Sequence, residues 1–166
     1  MKLLAPLAVL VLSLLIFFGY LAASYSMLPE RIATHFDLQG RPNGWMGREG
    51  FIAFTAGMGI FLLVVIVGIT GATRWLPATF VNIPHRDYWL APERRAATCA
   101  LLFRFGLWLG SLSLLFLTGV QWLVVQANLP ESHQRLDPAH LAGIDGPFLL
   151  GTILWIILLK RSFAKP

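Results

Sequence analysis

The chain has 166 residues, a length that suits one domain. Hydrophobic residues make up 57% of it and charged residues 13%, whereas soluble domains carry about 45–50% and about 25%. So little charge cannot clothe a water-facing surface, so an ordinary soluble domain is excluded and a bilayer protein fits. So much apolar content equally excludes a disordered chain. The net charge of +5 is spread over separate loops rather than one face, which argues against nucleic acid as a partner. Cys99 is the single cysteine, so no internal disulfide can form, and a thiolate zinc cluster is excluded.

A membrane helix needs about 20 mostly apolar residues. Four segments qualify, at about 3–24, 51–73, 99–126 and 143–160. The first runs beyond the about 7–15 apolar residues of a signal peptide, so a retained helix is expected. In the third, Pro92 with Glu93 marks the helix start, which then runs through Arg94, Arg95 and Cys99 into the span. The fourth is short unless it reaches back past Asp145, which reads as an N-cap or else as an acid at the membrane boundary. The expected fold is an all-α integral membrane protein: a single domain over residues 1–166, folded as a four-helix bundle.

Basic residues are unequally shared. Lys2, the loop carrying Arg74, Arg86, Arg94 and Arg95, the membrane-edge Arg104, and Lys160, Arg161 and Lys165 put nine on one side. Arg31, Arg41, Arg48 and Arg135 put four on the other. The richer side is expected to be cytoplasmic, with both termini there, in a bacterial inner membrane. Gly106 and Gly110 form a G-x-x-x-G in the third span. It reads as tight packing within the bundle, with a homodimer seam as the sharper alternative. No span carries a central carboxylate or a basic run, which weakens a channel or transporter reading. Gln121 and Gln126 read as hydrogen-bond partners between helices.

The first outer loop runs from Leu28 to Glu49 and is dense in turn formers. Pro29 with Glu30 suits one helical turn, and Thr34 to Asp37 an extended piece. Gly40 and Pro42-Asn43-Gly44 suit turns. Trp45 fits the headgroup belt. Apolar residues interleaved with these make a structured cap. Leu28, Pro29, Ile32, His35, Phe36, Gly40 and Asn43, at these spacings, resemble the short domain of unknown function at the head of SdpI-type bacterial membrane proteins. Ala33 stands where that family has its second proline, Asn43 at its acidic position and Arg48 at its basic one. In a binding or sensing protein this outer loop takes the ligand, with His35, Phe36, Asp37, Gly40, Asn43 and Arg48 as the candidate contacts. The resemblance implies a part in immunity to a secreted toxic peptide, or in signalling to a cytoplasmic protein.

The second loop, NIPHRDYWLAPERR from Asn82 to Arg95, is similar to the N-x-P-[NH]-[KR]-x-Y-W segment of small four-span relatives. His85, Arg86, Tyr88, Trp89, Arg94 and Arg95 read either as an interfacial anchor or as a docking site for a partner. Tyr88, Trp89 and Leu90 are expected at the membrane surface.

Catalytic signatures are absent: there is no nucleophile elbow, P-loop or dinucleotide fingerprint. His35, with His133, His140 and Asp145, is the candidate set for an outer-face metal site, although their spacing fits no metalloenzyme signature. His35 has three readings: it holds the turn by bonding backbone groups, it contacts a ligand, or it binds metal. Cys99 reads as a buried thiol. The expected function is a membrane binding or sensing protein with no cofactor, in contact with lipid and with a membrane or cytoplasmic partner. The alternative is an outer-face metal- or solute-binding enzyme or transporter component.

Overall fold

A computed structural model describes residues 3–164. Lys2 and Lys165, which entered the charge asymmetry, lie outside the described residues. Four long apolar helices are present: α1 (Leu4–Ser24), α2 (Arg48–Ala72), α4 (Pro92–Ala127) and α5 (Pro138–Ser162). A short α3 (Arg86–Trp89) lies between α2 and α4. The span starts of α1, the ends of α2 and α5 and the start of α4 share one end: Leu3, Ala72 and Pro92 line one cleft there, and Phe163 packs with Val81, Leu90 and Leu102. That is the loop end.

The opposite end differs from the all-α expectation. β1 (Arg31–Phe36) and β2 (Pro42–Gly47) pair as an antiparallel hairpin. Its turn falls on residues 37–41, not on Pro42-Asn43-Gly44, which lie in β2. The cause is Asp37, whose carboxylate accepts from the N–H groups of Gln39 and Arg41 at 2.9 and 2.8 Å. Gly40 completes the turn at φ +72°. Pro42 opens β2, the strand position that tolerates a missing N–H. The helical turn expected at Pro29 falls instead at Tyr25–Met27, a 3-10 continuation of α1.

Helix ends follow local chemistry. Glu49 sits in the first turn of α2 and Pro92 and Glu93 open α4, each favourable to an N-terminal dipole. α5 starts earlier than expected, which corrects the role of Asp145. Asp137 is the N-cap, accepting from Ala139 N at 2.9 Å, and Pro138 takes the first helical position. Asp145 and Pro147 lie inside α5. Pro147 gives up one helical bond there without ending the helix.

α4 is the core. α1, α2 and α5 each pack on it, and most buried helical positions are its own. At mid-bundle, Leu10 and Phe17 of α1 meet Leu107 and Leu114 of α4. A Cβ on Gly106 would overlap the Thr70 side chain, and one on Gly110 would press Leu63 and Val67 at 3.1 and 3.2 Å. Both glycines therefore serve close approach of α2 to α4 within one chain. α5 covers α4 on one side only: Trp155 Nε1 donates to Phe105 O at 2.9 Å, and Phe148 stacks on Phe116. Its outward face of Leu149, Leu150, Ile153 and Leu154 is left for lipid.

Candidate functional site

One side chain clamps the hairpin to the bundle by hydrogen bonds at β1. Asn128, just past the end of α4, accepts from Ala33 N at 2.8 Å and donates to Ala33 O at 2.9 Å and Val124 O at 2.8 Å. Its amide thus pairs with the free edge of β1 as a neighbouring strand would. Ile32, buried beside Leu28, Phe51, Val124 and Val125, adds the apolar part of the seat. On the far side the Gly40 carbonyl accepts from Leu136 N at 3.0 Å, and a Cβ on Gly40 would overlap the Leu136 carbonyl. Sequence reasoning missed Asn128. The only available signal was an amide at the end of a span.

Seated this way, the hairpin roofs a cavity of about 420 Å³ between α2 and α4. Its walls are mostly apolar: Met46, Phe51, Phe54, Met58, Leu117, Val120 and Val124. Four polar residues join them: Thr34, His35, Thr55 and Gln121. The strand register is irregular on both sides of His35, and such bulges re-aim side chains. Thr34 and His35, adjacent in sequence, accordingly both line the cavity. Gly44 opposite gives the imidazole room, since a Cβ there would sit 3.0 Å from His35 Cβ. His35 is exposed at the mouth, with Nδ1 3.1 Å from Thr34 Oγ1. Gln121, 1% exposed, is at the back. Its Nε2 donates to Ser24 Oγ of α1 at 3.3 Å, while its Oε1 is buried with no hydrogen-bond partner. A buried orphan carbonyl beside a cavity is a place for a ligand donor.

The other candidates of the first loop are structural or peripheral. Asp37 and Gly40 build the turn. Phe36 is half-buried opposite Pro42, and Asn43 is exposed. Arg48 Nη1 donates to Leu28 O at 3.1 Å, and its guanidinium lies 4.6 Å from the Tyr25 ring centroid. Tyr25 in turn bonds Glu49. Arg48 thus fixes the chain entering the hairpin.

The proposed metal residues do not come together. Among the described residues no three histidine, cysteine or carboxylate side chains are grouped to hold a metal. His140 faces Asp137 at 3.8 Å and the Trp122 ring, His133 sits in a left-handed turn, and Asp145 is carried away inside α5. A polar hollow of about 540 Å³ near His140 also includes Gln39, Arg135 and Asp137.

At the loop end the aromatic and arginine residues of the second loop pack on one another. Trp89 is half-buried and packs edge-on against Tyr88 and Phe163, Leu90 is buried, and Tyr88 stays exposed. The outward aromatics are Trp75 and Phe80, 70% and 74% exposed. Arg94 lies over the Tyr88 ring at 4.0 Å, donates to Tyr88 O at 2.9 Å and pairs with Glu93 at 2.7 Å. Arg95 donates to Leu76 O, and Thr98 to Trp89 O at 2.7 Å. His85 turns the chain at φ 50°, its carbonyl accepting from Tyr88 N and Trp89 N, and Arg86 pairs with Asp87 at the surface.

The hairpin and α2 walls of the roofed cavity, but not its α4 wall of Leu117, Val120, Gln121 and Val124, lie in the stretch that matches a known family. Residues 12–68 match the family described as a domain of unknown function (DUF1648). That domain is found at the N-terminus of SdpI-type proteins. The DUF1648 match covers most of α1, the whole hairpin and most of α2. Searches of curated proteins and of solved structures returned no match.

Proposed function

We infer that this multi-pass membrane protein is a binding or sensing protein that takes an amphipathic ligand at the hairpin end, outside the cytoplasm. The observation that carries this reading is the roofed cavity, apolar along its walls, with His35 at its mouth and the unpaired Gln121 carbonyl at its back. An occupant with an apolar body and a hydrogen-bond donor satisfies both. Pockets of this size with few polar groups are the usual form of small-ligand sites. The DUF1648 match supports an SdpI-related role in immunity or signalling, with a peptide side chain or small lipid-like molecule as the occupant. The nine-to-four basic asymmetry supports an inner-membrane protein with both termini inside.

The test is to purify the chain from its membrane and identify what stays bound, metals included. The expected result is an organic molecule retained by the wild type and reduced in Gln121→Leu, which removes the carbonyl while filling similar space. Retention of a metal by the wild type, or equal retention of the organic molecule in both proteins, would sink this reading.

A further inference from the structure

A second cavity lies at the loop end, and its chemistry differs. It is a cleft of about 720 Å³ between α2 and α4. Its walls inside the spans are small or apolar, among them Val67, Gly68, Gly71, Ala96, Ala100 and Phe103. Its mouth carries Arg74, Trp75 and Arg95. Arg74 is the first charged residue after Glu49, so it stands where the apolar span gives way to headgroups. The exposed Trp75, with the Arg74 guanidinium 3.6 Å from its ring centroid, marks the same level. Arg95 reaches Leu76 O across the mouth. Among the described residues, neither arginine has a carboxylate within 4.0 Å, whereas Arg86 and Arg94 each do. The mouth therefore holds two positive charges without acidic partners above an apolar slot. Along α4 the slot runs from Arg95 to Phe103, about 12 Å at the helical rise.

We propose that this cleft is a binding site for an anionic phospholipid, with its phosphate on Arg74 and Arg95 and an acyl chain between α2 and α4. Free phosphate would use the two guanidiniums alone and leave the slot unexplained. A zwitterionic lipid would fill the slot but bring a cation to a mouth that already carries two. Only an anionic lipid matches both halves. The site is independent of the hairpin-end cavity, at the other end of the same two helices.

Gly68 provides a clean probe. It lines the slot, and a Cβ there would meet nothing within 4 Å. Gly68→Phe therefore puts a bulky ring into the slot while leaving both arginines in the sequence. The purified full chain is titrated with phosphatidylglycerol, with phosphatidylcholine of the same chains, and with inorganic phosphate, and bound species are read by native mass spectrometry. Phosphatidylglycerol is expected to bind at least about fivefold tighter than phosphatidylcholine, as one surface arginine alone would give. Arg74→Gln should reduce that preference about fivefold, and Arg74→Lys should keep it. Gly68→Phe should lose both lipids with unchanged melting temperature. Equal affinity for the two lipids overturns the proposal, as does undiminished phosphatidylglycerol binding by Gly68→Phe. Full displacement of the lipid by stoichiometric inorganic phosphate overturns it too.

Discussion

Single side chains divide the labour at the hairpin end in a way their chemistry explains. Asn128 carries the hairpin because both halves of its amide are used by one backbone residue. Asn128→Leu leaves the buried N–H and C=O of Ala33 unpaired, at about 1–3 kcal/mol each. The expected outcome is faster amide hydrogen exchange over Ile32–Phe36 and a lower melting temperature. His35, exposed and bonded only to Thr34, should behave oppositely: His35→Ala leaves exchange in the hairpin near wild type while weakening occupancy of the cavity. Exchange in His35→Ala as fast as in Asn128→Leu would contradict this division. Gly40→Ala is expected to be worse than a lost hydrogen bond, because it combines a left-handed φ with a clash against backbone that cannot rotate away.

Between elements, the decisive contact is α2 against α4. Gly106→Ala drives a methyl into Thr70 and should lower the melting temperature by an overpacking cost of about 1–3 kcal/mol. Thr70→Ala in the same chain should recover part of it. Gly57→Ala, where a Cβ meets nothing within 4 Å, should be close to neutral. A Gly106 variant with normal melting but altered oligomeric state would point to contacts between copies instead. The loop end makes a parallel case. Arg95 bonds the carbonyl that follows α2, and Arg94 bonds and stacks on Tyr88. The double replacement Arg94→Lys, Arg95→Lys keeps the charge but loses planar geometry, so loosened packing of α3, read as exchange over Arg86–Leu90, is expected with insertion intact.

These elements also show what could be read in the residues. Span number, the start of α4 at Pro92 and a structured first loop follow from apolar runs, helix-end chemistry and turn formers, all local signals. The strand pairing, the Asn128 clamp and the packing of Trp89 on Phe163 depend on residues far apart in the chain, such as Ala33 with Asn128. Asp137 and Asp145 both stand near prolines, and only the path of the preceding turn decides which caps α5. Gln121 was visible as a polar group between helices. That its carbonyl ends unpaired beside a cavity was not, because the cavity exists only once the hairpin is seated.

For the whole molecule, the positive-inside asymmetry makes a checkable statement about sidedness. In a Cys99→Ser background, Gln39→Cys should react with a membrane-impermeant thiol reagent added to intact cells. Ala91→Cys should react only after the membrane is opened. Labelling at position 91 from outside would invert the protein.

The length of α4 has a mechanical consequence. At the helical rise its 36 residues extend about 54 Å, well beyond a bilayer core of about 30 Å, and no proline interrupts it past Pro92. One end is tied to the hairpin by Asn128, and the other to the loop by Arg95 and Thr98. A piston stroke of one turn would break the ties at both ends together. The hairpin and the loop thus pin the long helix at one depth in the bilayer.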